Sequence, residues 1–108
     1  MRLALVLLVA ACHGEVAGGS ANGAEVFHGA CATCHGPRGK PSQVMLERLN
    51  VRDLTSPEFR KRVTPALVEA QVRGGSKNKL MPSFEGALSD AQIEAVAAYV
   101  AQPKFPGQ

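Results

Sequence analysis

Cys31, Cys34 and His35 stand in the run Cys-Ala-Thr-Cys-His, and no other stretch of the chain gathers so many nucleophilic and metal-seeking atoms. On a helix, residues three and four apart share a face, so both thiols and the imidazole point the same way. Three chemistries use such a set. A thiol pair can cycle between dithiol and disulfide, but that needs a βαβ setting, and no strand pattern is legible here. A structural zinc ion needs four ligands. Adjacent Cys34 and His35 compete for geometry, and only His28, His13 and Cys12 remain to complete the set. The third chemistry is covalent haem attachment. Two vinyl groups on neighbouring rings accept the thiols as thioethers, and the histidine after the second cysteine sits under the iron as proximal ligand. Chance would produce this pattern about 0.002 times in 108 residues holding three Cys and three His, so we take the third reading.

A second axial ligand has to come from elsewhere. Met81 lies in Lys79-Leu80-Met81-Pro82-Ser83-Phe84, and Pro82 restricts it to extended geometry, so the segment is a loop. A thioether on a fixed loop is a soft ligand suited to iron. The plainer reading is a core methionine. Other candidates are placed worse: His28 precedes Cys31 by three residues on the proximal helix, His13 lies near the N-terminus, and Met45 lies in a different loop. With His35 and Met81 filling both axial positions, no site is open to substrate, which favours single-electron transfer over catalysis. If Met81 does not ligate, a haem-based ligand sensor or small haem enzyme is the alternative. That would need a polar distal group, and no His or Arg cluster stands near Met81.

The elements that must position these residues read as helices, giving an all-α fold. The first starts at Asn22 as N-cap and runs through Phe27 toward Cys31. A short one has Ser56 as cap and Pro57 at its first position, ending near Arg62. A third opens at Thr64-Pro65 and stops at Gly74-Gly75. In the last, Ser89-Asp90-Ala91-Gln92 is a capping box. Ile93, Val96, Ala97 and Val100 follow at helical spacing until Pro103 stops it. Residues 36–53 form a long loop with one helical turn at 44–49, and 73–86 form a second. Two long loops in so small a domain imply that something other than secondary structure fills the middle.

Met1-Arg2 followed by the apolar run 3–11 reads as a signal peptide, too short to span a bilayer of ~30 Å. Val9-Ala10-Ala11-Cys12 resembles a bacterial lipobox, which makes Cys12 the lipidated first residue of the mature chain. Plain cleavage after Ala21 is the alternative. The expected organisation is 1–11 signal peptide, 12–22 lipidated Cys12 and flexible linker, 23–102 folded domain, 103–108 tail. The protein is then exported to the periplasmic side and held at a membrane by lipid, or is soluble there if Cys12 is unmodified. A net charge of +3, no Trp and one Tyr argue against nucleic-acid binding.

Gly23 and Phe27, the run from Cys31 to Gly36, Gly74 with Met81-Pro82, and Leu88-Ser89-Asp90 with Ile93, Tyr99 and Val100 together resemble the class I mono-haem cytochromes c. The resemblance covers residues 22–102. It implies a small cytochrome c fold, about four helices packed around one covalent haem c and its iron. It also implies a crossing of the first and last helices, with Gly23 and Phe27 against Val96 and Tyr99. A loop carbonyl, often of a proline, would hold His35; Pro41 or Pro37 is in reach. Partners are redox proteins, with no small-molecule substrate. Arg73, Lys77 and Lys79 lead up to Met81 and would meet an acidic docking face, unless they are merely a solvated loop.

Overall fold

Capping side chains start five of the six helices in the computed structural model, which describes residues 19–107. The expected signal peptide, Cys12 and His13 lie outside the described residues. The elements are α1 (Gly23–Ala30), α2 (Ala32–His35), α3 (Gln43–Leu49), α4 (Pro57–Arg62), α5 (Pro65–Gly74) and α6 (Asp90–Ala101). Asn22, Ser42, Ser56, Thr64 and Ser89 each accept a hydrogen bond from the backbone N–H three residues on, inside the helix they begin. Each such cap contributes about 1 kcal/mol. No strand is present among the described residues; one isolated bridge joins Glu85 and Leu88.

Among the described residues the all-α fold has six helices, two of them single or short pieces beyond the four read from the sequence. The first helix ends at Ala30, because Cys31 departs from helical geometry (φ −117°), and α2 resumes as a single turn. The turn at 44–49 grows into α3, begun by Ser42 and ended by Asn50 in the left-handed conformation. Asparagine tolerates that conformation and so acts as a stop signal in place of glycine.

The core forms where α6 packs on α1 and on α5. Val26 and Phe27 of α1 meet Ile93, Val96, Ala97 and Val100 of α6, with Val68 and Val72 from α5. Burial of side chains this size contributes roughly 1.5–3 kcal/mol each. The α1–α6 crossing is close because position 23 is glycine. A Cβ there would collide with the Ala95 carbonyl oxygen and lie 2.7 Å from Tyr99 Cβ. Phe27 packs on Tyr99 at 5.7 Å between ring centroids. The expected crossing is therefore present, with Ala95 and not Val96 as Gly23's direct neighbour.

Two features extend the frame beyond the sequence reading. Phe105 is buried against Phe27 and Tyr99, so the core continues past residue 102 into the expected tail. Arg60 on α4 donates to the carbonyls of Leu54, Val100 and Gln102, the last two at 2.8 Å. It thereby satisfies carbonyls that the end of α6 leaves without helical partners.

Candidate functional site

The end of α1, α2, α4, α5, α6 and the loop carrying Met81 enclose a cavity of about 470 Å³. This lies within the ~300–1,000 Å³ of sites that hold small molecules and cofactors. Cys31, Cys34, His35 and Met81 all line it, so the structure brings the four sequence-derived residues to one place. Phe27, Phe59, Val68, Val72, Val96 and Val100 supply apolar walls.

The cysteine-histidine side is an extension of α1. The Cys31 N–H donates to the Phe27 carbonyl at 2.9 Å, and the His35 N–H donates to the Cys31 carbonyl at 3.0 Å. Gly36 then closes the turn. Burial and the neighbouring Cys34 push the Cys31 thiol up to about 11. A thiol this reluctant to ionise is a poor redox nucleophile, since that role requires thiolate. Among the described residues, no group of three or more His, Cys, Asp or Glu side chains is placed to hold a metal ion.

His35 Nδ1 lies 3.0 Å from the carbonyl oxygen of Arg52. A carbonyl only accepts, so Nδ1 carries the proton and Nε2 keeps its lone pair. Burial holds the imidazole below its usual range, the Arg52 hydrogen bond opposes that, and the Arg52 charge adds to it. A neutral ring with its tautomer fixed by a carbonyl is the form that ligates iron. The expected proline carbonyl is thus corrected: Arg52, not Pro41 or Pro37, holds His35.

Across the cavity, Met81 is half-buried against the core. Its N–H donates to Ser76 Oγ at 3.0 Å and its carbonyl accepts from the Ser76 N–H at 2.9 Å. Ser76 Oγ in turn donates to Asn78 Oδ1 at 2.6 Å, which also accepts the Leu80 N–H. Gly75 makes this neck possible. It adopts φ +70°, and a Cβ there would lie 2.7 Å from the Met81 carbonyl oxygen and 2.8 Å from the Ser83 nitrogen. Gly74, one of the residues that carry the sequence resemblance, ends α5 with open space around it.

The rival ligands are elsewhere. Met45 sits on α3 and does not line the cavity, and His28 is exposed on α1 with its ring against Phe27. Arg73 is not a free docking cation. It pairs with Glu69, Glu85 and Asp90, whereas Lys77 and Lys79 stay exposed.

The donor set fits an iron porphyrin: two thiols, a neutral imidazole, a thioether and apolar walls. Arg52 and Arg62 also line the cavity, flank the Phe59 ring, and make no ion pair among the described residues. Such cations suit the two carboxylates that haem carries. Sequence reasoning missed both, because arginines in a polar segment look like any solvated charge.

The family description that matches residues 19–100 reads "Cytochrome C oxidase, cbb3-type, subunit III". Cytochrome c6 from Thermosynechococcus vestitus is 39% identical over 98 residues, covering 91% of this chain and 82% of that protein. Cytochrome c6 from Parathermosynechococcus lividus is 41% identical over 80 residues, covering 74% and 85% respectively. The crystal structure of cytochrome c6C from Synechococcus sp. PCC 7002 superposes with a TM-score of 0.57 at 28% identity, covering 74% of this chain and 90% of that one. The KustC0563 c-type cytochrome is similar in fold, with a TM-score of 0.65 at 24% identity over 74% of this chain and 94% of its own.

Proposed function

Because the chain belongs to the cytochrome c family, we propose that Cys31, Cys34, His35 and Met81 are the residues through which it holds and tunes its haem. The protein carries one covalent haem c and is an electron-transfer protein, not an enzyme. In this reading Cys31 and Cys34 would hold the haem through thioether links, and His35 and Met81 would ligate its iron. The single observation that carries this assignment is the His35–Arg52 hydrogen bond beside two thiols, on a cavity whose other side presents Met81.

Haem supplies a one-electron iron couple when bound. The chain's own residues then have separable roles. Arg52's carbonyl fixes the tautomer of His35 and so directs Nε2 toward a metal. The Ser76 hydroxyl and the Asn78 amide oxygen are spent on the Met81 loop, which holds Met81 in place. A soft thioether favours the reduced metal and raises the potential. Apolar walls exclude water, so a change of charge inside requires little solvent reorganisation. Arg52 and Arg62 would neutralise the haem carboxylates.

Its partners are redox proteins. We read the docking face as Lys77 and Lys79 around exposed Leu80 at the cavity rim, matched to acidic groups on the partner. We also read Cys12 as a lipid anchor on an exported protein. No helix among the described residues is long and apolar enough to cross a membrane. A linker of some ten residues would let the domain range about 17 Å from such an anchor. Cys12→Ser is expected to release the protein from membranes or leave it unprocessed. Unchanged attachment would remove the lipid from this account.

The assignment is tested by spectra of purified holoprotein in both oxidation states. A reversible red chromophore that survives acid-acetone extraction, with a sulfur-to-iron charge-transfer band in the ferric form, is the expected result. Fast carbon monoxide binding without that band would favour the sensor alternative.

A further inference from the structure

We propose that Arg73 is the positioning residue of the Met81 loop, one guanidinium fastening together the helix before the loop, the loop's far end and the helix after it. The proposal rests on the reading of Met81 as iron ligand. Arg73 sits in the last turn of α5. Its Nη1 bonds Asp90 Oδ1 at 2.8 Å and Glu85 Oε2 at 3.1 Å, and its Nε and Nη2 both bond Glu69 Oε1 at 3.1 Å. Glu69 is one turn earlier on α5 and aims the guanidinium. Glu85 closes the loop that carries Met81, and Asp90 opens α6.

An exposed ion pair ordinarily contributes little. This node differs because three carboxylates from three segments converge on one cation, with Glu85 and Asp90 sharing a single nitrogen. Without that cation, like charges face each other across the join between loop and α6 and push the two apart. Lys77 and Lys79 make no ion pair among the described residues, so no other cation of the loop takes this place. Uncharged bonds beneath the node depend on the same closure. The Ser83 hydroxyl donates to the Arg73 carbonyl, and the Phe84 N–H donates to the Val72 carbonyl at 2.9 Å. Beyond them, at the neck, lie the Ser76–Met81 bonds. Loops open locally at a small fraction of the cost of global unfolding, so the outermost fastening sets how often Met81 swings away.

The test compares holoprotein with Arg73→Gln and with the triple variant Arg73→Gln, Glu85→Gln, Asp90→Asn. Two quantities are read: hydrogen exchange at the Met81, Phe84, Ile93 and Val96 amides, and the rate at which cyanide enters the ferric protein. Arg73→Gln is expected to speed exchange at Met81 and Phe84 about fivefold or more, leaving Ile93 and Val96 unchanged. Cyanide entry should rise by the same factor. In the triple variant, exchange should fall back toward the wild-type rate, because the repulsion leaves with the carboxylates. Unchanged exchange at Met81 and Phe84 in Arg73→Gln overturns the proposal, as does an equal rise at Ile93 and Val96, which would make Arg73 a general stability residue. If cyanide enters wild type as fast as an open site allows while the loop amides still respond to Arg73→Gln, Arg73's hold on the loop is upheld and the ligand reading alone fails.

Discussion

On the wall that carries Cys31, Cys34 and His35, the fastenings are helical hydrogen bonds, a close helix crossing at Gly23 and one long-range carbonyl bond. The wall that carries Met81 hangs instead from two turns, a glycine at positive φ and a surface ion-pair node. The first kind of attachment opens only when α1 parts from α6, which is close to global unfolding. The second can open alone. One wall is therefore built to keep the cofactor and the other to present a reversible ligand to it. The division follows from where each residue falls, on a helix that belongs to the core or on a loop that merely covers it.

The largest effect comes from removing the covalent links. Cys31→Ser with Cys34→Ser leaves a cavity of about 470 Å³ lined by core residues. Ligand binding to the native state alone is folding free energy. The expected loss is at least the ~5 kcal/mol that marks the lower end of domain stability, so the apoprotein should show no cooperative melt by circular dichroism. A melt near that of the holoprotein would show that the two walls support each other without the cofactor.

Met81→Ala is an intermediate case and breaks only the second wall. The charge-transfer band should vanish, the potential should fall as the soft ligand is lost, and carbon monoxide should bind far faster than to wild type. Helical circular dichroism should stay at the wild-type level, because the α1–α6 crossing does not involve this residue. Loss of the band in Met45→Ala instead would move the ligand to α3.

The smallest effect belongs to the rim. Reversing Lys77 and Lys79 to Glu should slow electron transfer to an acidic partner by roughly tenfold at low salt and flatten its dependence on ionic strength. Stopped-flow rates equal to wild type at every salt concentration would leave these lysines as solvated charges.

The cysteine-histidine wall was legible because its chemistry is written in consecutive residues, and the caps of α1, α4, α5 and α6 because capping is local. Pro82 marked the Met81 segment as a loop, and a loop at the cavity is where Met81 lies. The α3 helix was read as only a turn, since its end signal is Asn50 rather than glycine. The Arg73 node was hidden for a different reason: Glu69, Glu85 and Asp90 are up to 17 positions away from it, and nothing in their spacing announces that they meet. Read along the chain, Arg73 looked like a third member of a basic patch with Lys77 and Lys79. Phe105 was passed over because Pro103, Pro106 and Gly107 around it mark irregular chain, and irregular chain can still deliver a buried ring.

The bond from His35 to Arg52 is made to the main chain, and this has a consequence for how the protein can vary. Every amino acid offers the same carbonyl, so position 52 may change its side chain over generations without disturbing the orientation of the imidazole. What it cannot tolerate is a change of length. An insertion or deletion between the end of α3 and Leu54 would slide a different carbonyl, or none, into reach of Nδ1. Position 52 is thus constrained as a ruler and free as a text, while Asn50 and Leu54 on either side of it are held by the end of α3 and by the core. The side chain at 52 can then adjust the charge around the cofactor while the ligand behind it stays fixed.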